Sequence, residues 1–128
     1  ELTPLKEGKA AFVFLSDDGY AELSKLKEKS RKSIVANMVS RYAELGPDNL
    51  PKEMLNRNEG RHEGVLVQAF KKFQARLYGV EGSFNGKRAF FGTHAITKKE
   101  DKLKPSDAAK AARRAKELCA KIRGAKIG

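Results

Sequence analysis

Lys71, Lys72, Arg76, Lys87, Arg88, Lys98 and Lys99 fall in a stretch from 65 to 99 that holds one acidic residue, Glu81. Cations collected at that density are suited to phosphate. A guanidinium such as that of Arg76 grips phosphate oxygens as a fork and keeps its charge throughout the accessible pH range. Adjacent ammonium groups, as at Lys71 and Lys72 or Lys98 and Lys99, disfavour one another's protonation, which moves one of them toward general-base work near neutrality. His94 adds a further proton carrier. Such a set can promote RNA cleavage by the RNA's own 2′-hydroxyl, which attacks the neighbouring phosphate without a metal or a protein nucleophile. The protein neutralises charge on the phosphorane, aligns the hydroxyl and moves protons. Lys71, Lys72, Arg76, His94, Lys98 and Lys99 are therefore the candidate catalytic residues, and Lys87, Arg88, Lys102, Arg113 and Arg114 the candidate RNA-gripping ones.

Other chemistries have little to stand on. His62 and His94 are the two imidazoles and lie in different segments, so Ser-His-Asp and Cys-His triads are poor fits, and no glycine-rich phosphate loop of the P-loop kind occurs. Cys119 is the single cysteine, so neither an intramolecular disulfide nor a zinc site of ordinary spacing is expected. No cofactor is implied. Tyr78, Phe90 and Phe91 have two readings, base stacking or, more commonly for aromatics on a sheet, core packing.

The whole chain repeats the local charge pattern. In 128 residues, 27 Lys and Arg stand against 16 Asp and Glu, giving +11 and a pI near 9.9. A field of that sign steers association with RNA or DNA and makes affinity salt-dependent. No apolar run approaches the roughly 18 residues of a membrane span, and no signal-peptide-like segment opens the sequence. A soluble, cytoplasmic protein with one domain over 1–128 is expected.

These residues need a scaffold, and the pattern suggests one. Ala10 to Leu15 is a short apolar run closed by Ser16-Asp17-Asp18-Gly19, a strand followed by a turn and a helix N-cap. Tyr20, Leu23 and Leu26 recur at helical spacing. Ser30 or Ser33 can cap a second helix whose apolar stripe is Ile34, Met38, Tyr42 and Leu45, stopped by Gly46-Pro47. Residues 47–64 read as a long loop. Strands then run over 64–70, 73–84 and 87–96, the last two joined by Asn85-Gly86, a strong two-residue hairpin signal. Pro105 and Gly124 bound a last helix with alanines on one face. The expectation is an α+β domain of order β-α-α-β-β-β-α, a helical hairpin packed on a small antiparallel sheet.

Three segments in this order, residues 70–79 (FKKFQARLYG), 85–91 (NGKRAFF) and 94–102 (HAITKKEDK), resemble the RelE/ParE superfamily of bacterial toxins, in particular its phage-derived, HigB-like branch. The resemblance implies a RelE-like fold and the toxin of a type II toxin-antitoxin pair, a ribosome-dependent endonuclease that cuts messenger RNA in the ribosomal A site. It implies two partners, a cognate antitoxin, expected to be of helix-turn-helix type, and the ribosome with its messenger. By position, Lys71, Lys72 and Arg76 match the family's strand-borne cations, and Lys98, Lys99 and Lys102 its basic segment after the last strand, with His94 near polar active-site positions. One departure is that no Tyr follows Tyr78, so acid catalysis by a C-terminal tyrosine is not available. Two other readings are a gyrase-inhibiting, ParE-like toxin that uses the helical hairpin as its contact surface, and a non-catalytic RNA-binding module.

Overall fold

Asn85 and Gly86 form the turn that their residue types favour. In the computed structural model, which describes residues 3–98 and 102–128, φ is 50° at Asn85 and 80° at Gly86, the left-handed pair that a tight hairpin requires. The turn sets the register of the longest strand pairing in the molecule, from Phe84 opposite Lys87 to Ala75 opposite Thr97. The remaining strands add to this hairpin on both edges.

The strands are β1 (Lys6–Glu7), β2 (Ala11–Leu15), β3 (Leu55–His62), β4 (Val65–Lys72), β5 (Ala75–Phe84), β6 (Lys87–Thr97) and β7 (Ala125–Ile127). They make one seven-stranded sheet of order β1-β2-β6-β5-β4-β3, with β7 also paired to β5. On one edge of β5, β4 covers 75–79 and β7 covers 82–84. The first helix, α1, is Asp17–Ser24. The second, α2, runs without a break from Glu28–Lys32 through a π-helical turn at Ser33–Val39 into Ser40–Leu45. The third, α3, is Pro105–Ala120.

The sheet is covered on both faces. Against one, Ile34, Met38, Val39 and Tyr42 of α2 pack on Val13, Leu15, Phe70, Leu77 and Phe90. Against the other, Ala108 and Ala111 of α3 meet Val67, Ala69 and Tyr78, while Ala112 and Ala115 meet Val65 and Val80. Leu118 and Ile122 complete that side on Phe14, Ala89 and Phe91. Alanines along α3 let the helix lie close to the strands, so the apolar area removed from water comes mainly from the sheet's own aromatic and branched residues.

The α+β class expected from sequence holds, with five corrections. The sheet is mixed, because β2 lies parallel to β6, Ala11 opposite Arg88 and Leu15 opposite Gly92; α1 and α2 carry the chain from β2 to β3 at the far edge, and the meander β3-β4-β5-β6 brings it back beside β2. The order is β-β-α-α-β-β-β-β-α-β, since β1, β3 and β7 are added. Residues 55–62, read as loop because of Asn56, Asn58 and Gly60, form β3, anchored by buried Leu55 and by backbone pairing to β4. Ser30 and Ser33 lie inside α2 rather than capping it, and the helix begins after Lys27 without a side-chain cap. Ser16 does cap α1, accepting from the Gly19 N–H at 3.0 Å. Leu45 is outside the apolar stripe, at 54% exposure.

A bulge in β6 places one site residue. Tyr78 faces His94 and Gly79 faces Gly92, so Thr93 is an extra residue and the alternation of side chains reverses beyond it. His94 thereby joins the α3 face. Gly79 is required at this point, because a Cβ there would run into the Phe90 ring and come within 2.7 Å of the Phe91 carbonyl oxygen. Gly79→Ala is expected to destabilise the fold by about 1–3 kcal/mol, read as a lower urea midpoint with an unchanged slope; an unaltered midpoint would contradict the packing described.

Candidate nucleic-acid interface

Strand register decides which of the candidate cations meet. Lys71 lies opposite Arg76, Arg76 opposite Ile96, and Tyr78 opposite His94. Lys71, Arg76, His94 and, two residues past Ile96, Lys98 therefore share the face that carries α3. Lys72 points to the opposite face, its Nζ 4.8 Å from the centre of the Phe73 ring. Lys99 lies outside the described residues.

Accessibility separates these four. Lys71 is half-buried and reaches solvent. Arg76 is 4% exposed, and its Nη1 donates to the carbonyls of Phe73 (2.8 Å) and Ala75 (3.0 Å). It holds the β4–β5 turn. Lys98 is buried, with Nζ donating to the Lys102 carbonyl at 2.6 Å and lying 3.5 Å from Asp107 Oδ2. His94 is fully buried, stacked on Tyr78 with centroids 4.8 Å apart. Its Nδ1 is 3.1 Å from Thr93 Oγ1 and its Nε2 is 3.6 Å from Asp107 Oδ1. Burial pushes the imidazole pKa down to about 4, although the Asp107 carboxylate pulls the other way. His94 is thus neutral at neutral pH. Arg76, His94 and Lys98 share one face, yet they are buried beneath α3 and the turn rather than set at an open surface. Tyr78, Phe90 and Phe91 are core residues with no ring face to offer a base.

On the opposite face the lone acid of the stretch gathers donors. Glu81 accepts from Tyr42 Oη (2.5 Å), Arg57 Nε (3.0 Å) and Nη2 (2.9 Å), and Gln68 Nε2 (2.7 Å), with Arg88 Nη1 3.3 Å away. Burial alone would raise its pKa, but the hydrogen bonds from Tyr42, Gln68 and Arg57 outweigh that and hold it below the usual carboxylate range. Burial, with the Glu81 carboxylate beside it, raises the Tyr42 phenol. Arg57 had no signal in sequence, because it lies in the segment read as loop.

The remaining expected RNA contacts divide. Arg88 pairs with Glu81 while staying partly exposed. Lys87 donates to the Gly8 carbonyl at 2.5 Å and sits over the Phe12 ring. Arg114 is committed to structure: it pairs with Glu22 (2.9 Å) and Asp18 (3.5 Å) of α1 and donates to the Thr93 carbonyl (3.2 Å). Lys102 and Arg113 are exposed. Cys119 is half-buried, and burial lifts its thiol to about 11.

Sequence reasoning missed Phe73, placing it in a strand. It occupies the two-residue β4–β5 turn with φ 53°, is 63% exposed, and has Lys29 and Lys72 over its ring at 5.7 and 4.8 Å. No Gly or Asn marks this turn, so the usual signal was lacking.

Among the described residues, no helix is long and apolar enough to cross a membrane. The fold and the exposed cations define an α+β protein with a basic surface at the β4–β5 end of its sheet. Comparison with protein-family models, curated proteins and solved structures returns no significant match.

His94 makes stability pH-dependent in a defined window. Its folded pKa of about 4 lies below the unfolded value of 6.5, so its contribution is complete above pH 6.5 and is lost as pH falls toward 4. The loss amounts to on the order of 3 kcal/mol. Urea unfolding across this window should show that decline in the wild type and a shallower one in His94→Phe. Parallel profiles would contradict the assignment.

Proposed function

We propose that this protein is the toxin of a type II toxin-antitoxin pair, a ribosome-dependent endoribonuclease of the RelE/ParE kind that cuts messenger RNA by 2′-hydroxyl attack on the adjacent phosphate. The observation that carries the reading is the convergence of Lys71, Arg76, His94 and Lys98 on one face of three adjacent strands, in the order in which the sequence resembles that superfamily. Lys71 is the accessible member and the one assigned to touch the scissile phosphate. Arg76 is a positioning residue, since its guanidinium fixes the turn that follows Lys71. The neutral, buried His94 leaves proton transfer to lysine. A cognate antitoxin and the translating ribosome are the implied partners.

Burial of Arg76, His94 and Lys98 favours a second reading, an RNA-binding module without chemistry, for which the surface charge suffices. Primer extension on the messenger in a defined translation reaction separates the two. Cuts at A-site codons that require ribosomes, and that fall by at least about tenfold in Lys71→Ala with an unchanged melting temperature, are expected. An intact messenger, together with salt-dependent binding to RNA off the ribosome, would overturn the endonuclease reading in favour of the second.

A further inference from the structure

We infer that Phe73 is a stacking platform for an unpaired nucleobase of single-stranded RNA, with the lysines around it holding the adjoining phosphates. This rests on the part of the proposed function that makes RNA the ligand, and not on cleavage. A bulky aromatic residue in the left-handed region is a conformational outlier, because glycine and asparagine occupy such positions with less strain. Nothing in the core repays that strain, since the side chain is 63% exposed. The turn is nevertheless held firmly. The Phe73 carbonyl accepts from buried Arg76 at 2.8 Å, and the neighbouring Gln74 carbonyl accepts from the Lys98 backbone N–H at 2.8 Å. Strain maintained by surrounding structure and presented to solvent is a mark of a functional position.

The surroundings select the ligand. Beside the ring lies a cleft of about 350 Å³ lined by Lys27, Lys29, Ser30, Gln74 and Thr97 as well as Phe73, with no acidic residue among them. The nearby acid Glu28 is already paired with Lys32 at 2.7 Å. Lys29 and Lys72 lie over the ring from α2 and β4, and a base taking the place of one of them leaves that ammonium free to meet a phosphate. An exposed π-face among ammonium groups is the arrangement that binds single strands with little sequence preference. Lys71, on the same hairpin, links the platform to the cation row of the α3 face.

Fluorescence anisotropy with a short oligouridylate, and with a matching abasic strand, tests the inference on the full chain. Phe73→Asn is the variant of choice, because asparagine suits the positive φ and the fold should be at least as stable. It is expected to bind the oligouridylate roughly tenfold more weakly. The slope of log affinity against log salt should be unchanged, since no charge is removed. Phe73→Tyr should bind like the wild type, and on the abasic strand wild type and Phe73→Asn should be alike. Equal binding of the oligouridylate by wild type and Phe73→Asn overturns the inference, as does an equal loss on the abasic strand or no measurable binding by the wild type. Stacking with an intact messenger on ribosomes would support this inference and remove the endonuclease reading, whereas ribosome-dependent cleavage by a protein whose oligouridylate binding is indifferent to Phe73 would do the reverse.

Discussion

A carboxylate set into the middle of a sheet must be surrounded by donors, and the fold around β5 depends on how Glu81 meets that demand. Its partners come from α2 (Tyr42), β3 (Arg57), β4 (Gln68) and β6 (Arg88), so one side chain ties four elements to a fifth. Charges taken out of water are tolerated only when so many contacts converge, and removing one member of such a set strands the others. Next to this group β4 leaves the edge of β5 and β7 takes its place, opening a cleft of about 480 Å³ that Arg57, Arg61, Gln68 and Glu81 help to line. The network lets the sheet divide there without losing its alignment.

Two further acids are committed in the same way as Glu81. Glu81, Asp107 and Glu22 are turned toward buried or half-buried cations: Arg57, Lys98 and Arg114. Each fixes a junction, whether of β3 with β5, of β6 with α3, or of α1 with α3. These pairs take up acid and base together, so the exposed lysines and arginines keep the excess that the sequence carries, a net charge of +11. The basic field is therefore that of the sequence as a whole. Near the β4–β5 turn that field meets the exposed ring of Phe73, the feature on which the proposed RNA contact rests.

What the sequence made legible follows from how local the signal was. Asn85-Gly86 needs positive φ at two successive positions and forms the expected hairpin; Ser16 caps α1; Pro105 and the alanine spacing mark α3. Non-local pairing was hidden. Residues 55–62 carry Asn, Gly and Arg because β3 is an edge strand whose side chains serve Glu81 and solvent, and that composition resembles a loop. The parallel placement of β2 beside β6 arises because α1 and α2 take the chain to β3 at the far edge and the meander through β4 and β5 returns it to β6, which no short motif announces. For the site, the sequence pattern grouped Lys71 and Lys72 with Arg76, whereas strand register puts Lys71 and Arg76 on one face and Lys72 on the other; nor could it reveal that α3 covers His94 or that the bulge at Thr93 turns it inward. Phe73 escaped notice because its turn is imposed by tertiary contacts of Arg76 and Lys98, against its own backbone preference.

The β4–β5 end of the sheet is the proposed point of contact with RNA. Amide hydrogen exchange of the full chain with and without a single-stranded oligoribonucleotide tests that assignment most directly. New protection is expected at residues 71–76 and 27–30, around Phe73, with little change along β1 and β2 at the far edge. Protection confined to the outer surface of α3, near Arg113, or absent from residues 71–76, would contradict it.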